Sequence, residues 1–258
     1  MGSGQPAARR PRGIGRASGL NVAGILDRHR HVAEIVLASI AKVRGKPTAE
    51  APYGLAGGNA LIAHRLSNRR TMDVDVAIGQ MLGDWKSIEA AIEAGLSDNG
   101  YAVERVEKTA GLDVFADYDE ELGLSEWEVQ APGADEVDQV QVSNFDLKAA
   151  PVIMPGIGPV LALDDVAGWK TVAFANRRMA RDAYDMAELL TRFTVQQLIA
   201  LALARDPGLQ AADFADAGRY VDRARDDALA AVLDGTGRDV AWLRSQLKDW
   251  PRTAPPRQ

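Results

Sequence analysis

The sequence predicts an α+β protein, in which a mixed β-sheet flanked by helices is followed by a helical C-terminal domain. Short apolar or alternating runs between residues 53 and 142 indicate strands. Prolines and glycines from Pro151 to Pro159 interrupt the chain, and from Leu163 onwards the apolar residues follow helical spacing. We therefore expect a disordered N-terminus over residues 1–17, a sheet domain over residues 18–158, a helical domain over residues 159–249 and a loose tail over residues 250–258.

Each element follows from a local pattern. A buried stripe at helical spacing predicts the first helix, Asn59 and Asp84 are suitable N-caps, and Asn99-Gly100 marks a turn. The predicted helices cover residues 22–43, 59–66, 84–96, 164–175 with Asp164 or Asp165 as cap, 180–192, a segment after Thr194, 211–233 with a break inside it, and 240–248. The predicted strands cover residues 53–56, 72–78, 101–106, 112–115, 127–130 and 137–142, which together form the sheet.

A Gly-Gly turn followed by two alternating carboxylates is the most informative local pattern. Gly57 and Gly58 have no Cβ, so their backbone can approach a ligand closely, and the helix that starts there favours a phosphate. Asp73 and Asp75 share one strand face, where they repel each other unless water, a cation or a basic group lies between them. Mg²⁺ is often held by one or two carboxylates together with substrate phosphates. The pattern therefore predicts a site for a nucleoside triphosphate and its metal, although a solvated polar face also explains the Asp pair alone.

These residues resemble the nucleotidyltransferase fold shared with DNA polymerase β, and more closely the AbiEii/MenT family of toxin nucleotidyltransferases. Family members carry Gly-Gly-Thr-Ala-Leu and then Arg-x-Ser-x-Asp-hydrophobic-Asp, where this chain has Gly57-Gly58-Asn59-Ala60-Leu61 and Arg69-Arg70-Thr71-Met72-Asp73-Val74-Asp75. A second family block, a Lys on one helix and (Lys/Arg)-Asp-x-x-Asp opening the next, matches Lys170 and Arg181-Asp182-Ala183-Tyr184-Asp185. The two blocks lie in the family's order within residues 53–190.

The resemblance implies a toxin that uses Mg²⁺, or alternatively Mn²⁺, to transfer a nucleotide from a nucleoside triphosphate to the 3′ end of an RNA. The best-known acceptors of the family are tRNAs, and a cognate antitoxin normally accompanies such toxins. The implied catalytic residues are Asp73, Asp75, Lys170, Asp182 and Asp185, with Asp73 and Asp75 as metal ligands. The implied nucleotide-binding residues are Gly57, Gly58, Asn59, Arg70, Thr71 and Lys170.

Two departures from the family pattern leave alternatives open. Asn59 and Thr71 replace the commoner Thr and Ser, and the third carboxylate of polymerase-β-like enzymes has no clear match. The predicted strand at residues 137–142 offers Asp138 and Gln141 without a clear match, and the other candidates are Glu128, Asp182 and Asp185. Asp182 also suits an ordinary helix start, where an acidic residue complements the helix dipole. Rival functions are a small-molecule nucleotidyltransferase that modifies an aminoglycoside-like acceptor, a phosphotransferase toxin, and a non-catalytic module that binds a nucleotide or a partner.

Composition narrows the classes of protein further. The net charge of −6 argues against broad non-specific binding of nucleic acid, although Arg65, Arg69 and Arg70 could form a local basic patch with Arg177, Arg178 and Arg181. The absence of cysteine excludes disulfides and thiolate metal sites. No apolar run approaches the ~20 residues of a membrane span, and the arginine-containing N-terminus lacks the apolar core of a secretory signal. We therefore expect a cytoplasmic protein with no membrane partner.

Overall fold

A seven-stranded mixed sheet organises the residues that this computed structural model describes, which are 24–79, 84–106 and 123–254. The strands are β1 (Tyr53–Leu55), β2 (Asp73–Ile78), β3 (Ala102–Arg105), β4 (Leu124–Gln130), β5 (Val137–Asn144), β6 (Val152–Met154) and β7 (Gly158–Val160). They lie in the order β3-β4-β5-β2-β1-β7-β6, with β2–β5 and β1–β7 parallel and the other pairs antiparallel. The predicted strand at residues 112–115 lies outside the described residues.

Helices flank the sheet and then fill the C-terminal half of the chain, so the predicted α+β class is confirmed. The helices within the described ranges are α1 (Asp27–Arg44), α2 (Gly57–Ala63), α3 (Trp85–Asp98), α4 (Leu163–Arg177), α5 (Ala180–Leu189), α6 (Val195–Leu203), α7 (Ala211–Arg223), α8 (Asp226–Leu233) and α9 (Val240–Gln246). The expected break within residues 211–233 separates α7 from α8. Over the same described ranges, none of the helices is both long and apolar enough to cross a membrane.

Strand β2 separates an apolar face from a polar one, as its alternating sequence predicts. Val74, Val76 and Ile78 are buried, with at most 1% of their surface exposed. Asp73 and Asp75 point to the other face of the sheet and are only half-buried. Because β2 is central, both of these carboxylates lie in the middle of the sheet, with β1 on one side and β5 on the other.

Two segments differ from the sequence predictions. The proline- and glycine-rich region contains β6 and β7, an antiparallel pair that extends the sheet beyond β1. β7 is only three residues long and contains Gly158 and Pro159, so its sequence has no apolar–polar alternation that would indicate a strand. The prediction of a loose tail is wrong at Trp250, which is 2% exposed and donates its indole N–H to the Phe214 carbonyl at 2.9 Å. Residues 1–17 and 255–258 lie outside the described part.

A buried ion pair fixes the loop after β5 to the helical half of the chain. The carboxylate of Asp165 accepts hydrogen bonds from the backbone N–H groups of Lys148 and Ala149, each at 3.0 Å, and from the Arg205 guanidinium at 2.6 Å. The side chains of Asp165 and Arg205 are 0% and 2% exposed. The sequence predicts that Asp164 or Asp165 caps this helix, but the N-cap of α4 is Ala162. Asp165 instead accepts hydrogen bonds from the backbone of the loop that precedes β6.

Replacing Asp165 by Ala is expected to lower the free energy of unfolding by about 3–5 kcal/mol, because it leaves the Arg205 guanidinium buried without its charge partner. Denaturant titration followed by circular dichroism measures the change. The matched control is Asp146→Asn, since Asp146 pairs with Lys148 at the exposed surface of the same loop, and it should change stability little. Equal effects of the two substitutions would contradict the role assigned to Asp165.

Candidate active site

A cleft of about 590 Å³ lies between the polar face of β2 and the helices α4 and α5. This volume is within the usual range for a small-molecule site. Both sequence blocks contribute to its walls, which include the predicted site residues Gly57, Gly58, Arg70, Asp73, Asp75 and Lys170. The other predicted site residues, Asn59, Thr71, Asp182 and Asp185, are buried behind these walls and do not line the cleft. Arg177, which the sequence offered only as part of a basic patch, and Arg181, which opens the second motif block, also line it.

The two carboxylates of β2 form one wall, close to the Gly-Gly turn. Gly57 has a φ of +59°, and a Cβ at this position would overlap the Asp75 carboxylate. Burial and, to a smaller extent, the neighbouring charge of Asp73 raise the pKa of Asp75 to about 6, even though Lys170 and two arginines lower it in part. Asp75 is therefore a carboxylate whose ionised form is disfavoured by its surroundings and would gain from a nearby cation.

The donor set fits a hard divalent cation that also takes ligands from its substrate. Within the described ranges, no group of three His, Asp or Glu side chains could enclose a metal ion. Asp73 and Asp75 nevertheless supply two oxygen ligands on the cleft wall, and Mg²⁺ commonly takes one or two carboxylates together with substrate phosphates. The residue of β5 in register with Asp75 is Gln141, an amide, so this strand offers no third carboxylate at that level. Glu128 is exposed on β4, two strands from β2.

Asp185 lies behind the opposite wall and holds two cations in place. Its carboxylate accepts hydrogen bonds from Lys170 Nζ at 2.7 Å and from Arg69 Nε and Nη2 at 3.0 and 3.3 Å. Burial alone would raise the pKa of Asp185, but the Lys170 and Arg69 charges outweigh it and hold that pKa below its ordinary value. Asp185 is therefore ionised at neutral pH, and its contacts suit the orientation of Lys170. Arg69 was not expected from the sequence to take part in this cluster.

The carboxylate of Asp182 holds the Arg177 guanidinium in place in the same way. Its carboxylate accepts two hydrogen bonds from Arg177 Nε, at 3.0 and 3.1 Å, one from Arg177 Nη2 at 2.7 Å and one from the Met179 backbone N–H at 3.1 Å. The chain turns at Arg178, whose φ is +53°, and this turn brings α5 back against α4. Asp182 is 0% exposed, so it caps α5 and fixes Arg177 rather than contacting a ligand in the cleft.

The buried side chains of Asn59 and Thr71 support strand β2 and do not line the cleft, where the sequence predicts that they contact the nucleotide. Asn59 Nδ2 donates to the Asp73 carbonyl at 2.8 Å, and the Thr71 hydroxyl donates to Asn59 Oδ1 at 2.7 Å. His29 continues this network, with Nδ1 3.5 Å from the Thr71 hydroxyl and Nε2 3.1 Å from Asp138 Oδ1. All four residues in the network are at most 5% exposed. The third-carboxylate candidate Asp138 is therefore bound to His29 and lies away from the cleft.

The sequence indicates that His29 is buried but does not identify its polar partner. A histidine on the buried stripe of α1 needs a polar partner. The partner, Asp138, is 109 residues away, and only the folded structure identifies it.

Replacing Asp75 by Asn is expected to stabilise the metal-free protein at pH 7.5 by about 1–2 kcal/mol, or a few degrees in Tm. The folded-state pKa of about 6 exceeds the ordinary value of 3.8, so the ionised carboxylate destabilises the fold increasingly as pH rises through this interval. Thermal melts with a chelator present measure the difference, which should shrink at pH 5. A variant no more stable than the wild type at pH 7.5 would contradict this electrostatic account.

Comparison with known proteins identifies the family of this chain. Residues 46–242 match the family model described as nucleotidyl transferase AbiEii toxin of a type IV toxin–antitoxin system. No curated protein sequence matches the chain significantly.

Solved structures with related shapes are distant. A putative nucleotidyltransferase from H. pylori is 16% identical with a TM-score of 0.49, over 85% of this chain and 90% of that one. MenT4, a nucleotidyltransferase toxin from Mycobacterium tuberculosis H37Rv, is 17% identical with a TM-score of 0.49, over 86% of this chain and 83% of that one. The family model, by contrast, spans most of the sequence and includes both motif blocks. The chain therefore belongs to the AbiEii family of nucleotidyltransferase toxins.

Proposed function

We propose that this nucleotidyltransferase transfers a nucleotide from a nucleoside triphosphate to the 3′ end of an RNA, with tRNA as the first candidate, and thereby inhibits translation and growth. Its setting would be the cytoplasm, together with a cognate antitoxin. One observation carries the proposal. The carboxylates of Asp73 and Asp75 face the cations Lys170, Arg177 and Arg181 across a single cleft. Such a cleft can hold a metal at one wall and a polyphosphate at the other.

The donor nucleotide would lie between these walls. Lys170 supplies a compact positive charge and Arg177 a planar guanidinium, both suited to phosphate oxygens. Gly57 and Gly58 allow the backbone to approach the phosphates without interference from a Cβ. Asp73 and Asp75 would hold Mg²⁺, or Mn²⁺, which when bound neutralises charge that develops on the triphosphate.

The reaction joins the acceptor hydroxyl oxygen to the α-phosphorus, releases the hydroxyl proton to water, and breaks the bond from that phosphorus to the departing pyrophosphate. The contribution of the protein is to position both reactants and to stabilise the leaving charge through the cations of the cleft. In this proposal Asp185 and Asp182 are positioning residues. Asp185 aims Lys170, and Asp182 aims Arg177.

Exposed arginines at the cleft support an RNA acceptor. Arg70 and Arg181 line the cleft and are also open to solvent, so both can contact the phosphates of an acceptor end. The net charge of −6 restricts RNA binding to such a local patch.

A second candidate acceptor is a small cationic molecule of the aminoglycoside kind. A shallow hollow of about 90 Å³ beside Asp73 is lined by Glu126 and Glu128 on β4. These carboxylates lie beside Asp73 and would attract amino groups rather than RNA phosphates.

The direct test incubates the protein with Mg²⁺, total tRNA and each α-³²P-labelled nucleoside triphosphate in turn. We expect label on tRNA from at least one nucleotide, no label with a chelator present, and at least a hundredfold loss of rate in Asp75→Ala. The exposed-surface variant Asp146→Asn is the control and should retain activity.

Other results of this test decide between the candidates. Absence of label on any RNA would contradict the tRNA proposal. Label that appears instead on an aminoglycoside would establish the second candidate. Transfer of the γ-phosphate with no α-label transferred would indicate a phosphotransferase.

Substitution of Asp185 by Asn tests whether this residue positions Lys170 or takes part in the chemistry directly. Loss of the carboxylate charge frees Lys170 and Arg69, so we expect about a tenfold rise in KM for the nucleotide, equivalent to about 1.4 kcal/mol of lost binding. Steady-state kinetics on a variant that melts as a folded protein measures this. An unchanged KM with a fall in kcat as large as that of Asp75→Ala would show that Asp185 acts in the chemical step.

A further inference from the structure

Two aromatic rings in the wall of the cleft have no part in the chemistry described above. Phe145 and Trp169 are stacked, with ring centroids 4.4 Å apart and planes at 19°, and both line the cleft. We infer that this pair forms the base-binding subsite, on which the nucleobase of the donor triphosphate stacks. The inference rests on the proposed function, because it names the part of the same site that binds the base.

The position of the rings suits this role. Phe145 directly follows β5, and its backbone N–H donates to the Ile78 carbonyl at 2.9 Å, at the end of the strand that carries Asp73 and Asp75. Trp169 precedes Lys170 on α4. The indole N–H of Trp169 is buried and has no hydrogen-bond partner among the described residues, so packing and stacking fix this ring.

Helix α4 presents an apolar end and a cationic end to the cleft. Its cleft-lining residues are Val166, Trp169, Lys170, Ala173 and Arg177, which share one face at helical spacing. At 1.5 Å per residue, Arg177 lies about 12 Å along the helix from Trp169. A nucleoside triphosphate has the same polarity, with a flat apolar ring at one end and a polyanion at the other. With its phosphates at Lys170 and Arg177, the base would therefore reach Trp169.

A stacking role explains the arrangement of Phe145 and Trp169 better than ordinary core packing does. The core of the helical half contains another pair, Phe174 and Trp250, which shows how aromatic residues pack here without a ligand. That pair is at most 2% exposed and meets edge to face at 65°, with the indole N–H hydrogen-bonded. Phe145 and Trp169 are instead stacked nearly parallel and remain half-buried at a cleft wall. Stacked rings that stay open to a cavity present a platform for a further flat ring.

The neighbouring surfaces complete the subsite. Leu161 and Val166 line the cleft and are buried, which makes this part of the wall apolar. The ion pair of Asp165 and Arg205 fixes the loop that follows Phe145. Stacking on an aromatic ring accepts every base, so this subsite provides affinity for the nucleoside part of the substrate rather than selection among bases.

Binding of two probes to the full chain tests the inference. The probes are inorganic tripolyphosphate and α,β-methylene nucleoside triphosphates, each measured with Mg²⁺ by calorimetry. The wild type is expected to bind the nucleotide analogues more tightly than tripolyphosphate. Trp169→Leu should weaken nucleotide binding about 10- to 100-fold and leave tripolyphosphate binding within about twofold, because only the base loses its stacking partner. Trp169→Phe keeps a ring and should retain most of the nucleotide affinity.

Two controls guard against a purely structural effect. Trp242 contacts Arg238 outside the cleft, so Trp242→Leu should change the binding of neither probe. If Trp169→Leu does not fold, Phe145→Leu and the quenching of Trp169 fluorescence by the nucleotide analogue replace it. This quenching should occur in the wild type and be lost in Trp169→Phe.

The outcomes separate the two levels of the account. Failure of the wild type to bind either probe would overturn the proposed function itself. Binding of tripolyphosphate and nucleotides with equal affinity, or unchanged nucleotide affinity in the leucine variants, would overturn only the base-binding subsite. An equal loss of both probes in Trp169→Leu would show that the ring supports the cleft rather than the base, which also overturns the subsite.

Discussion

Repulsion between two carboxylates on one strand is the constraint on which the rest of the site depends. Asp73 and Asp75 must share a face of β2, and burial together with their mutual repulsion raises the pKa of Asp75 to about 6. The cations Lys170 and Arg177 lie across the cleft from these carboxylates. Two buried carboxylates, Asp185 and Asp182, hold these cations in place. The site is thus an alternation of negative, positive and negative layers, with an open space between the first two.

The alternation explains why residues that touch no ligand matter as much as those that line the cleft. A cation in the positive layer can act on a phosphate only if its position is fixed, and Asp185 holds two cations, Lys170 and Arg69, within hydrogen-bond distance. Strand β2 is fixed in the same manner by Asn59, whose amide holds the Asp73 carbonyl and is itself held by Thr71. Preorganised charges of this kind need no rearrangement when the substrate charge shifts during the reaction.

Features that depend on short-range periodicity and motif spacing could be predicted from the sequence. Alternation with a period of two predicts Asp73 and Asp75 on one face of β2, and the change from short strand-like runs to helical spacing predicts the α+β class. Contacts between residues far apart in the sequence could not be predicted from it. Arg69 pairs with Asp185, which is 116 residues away, and His29 pairs with Asp138, which is 109 residues away. No local pattern marks such pairs, and the three-residue strands β6 and β7 are too short to show one. The sequence predicts that Asn59 and Thr71 contact the nucleotide, but both are buried, and Asn59 holds the Asp73 carbonyl instead.

The central claim is that Asp73 and Asp75 form a cation site completed by the triphosphate. Its most direct test measures the thermal shift caused by Mg²⁺, by a non-hydrolysable nucleoside triphosphate, and by both together. The account predicts a shift with both ligands that exceeds the sum of the separate shifts, and loss of this excess in Asp73→Asn. A nucleotide shift that is independent of Mg²⁺, or an undiminished excess in Asp73→Asn, would contradict it.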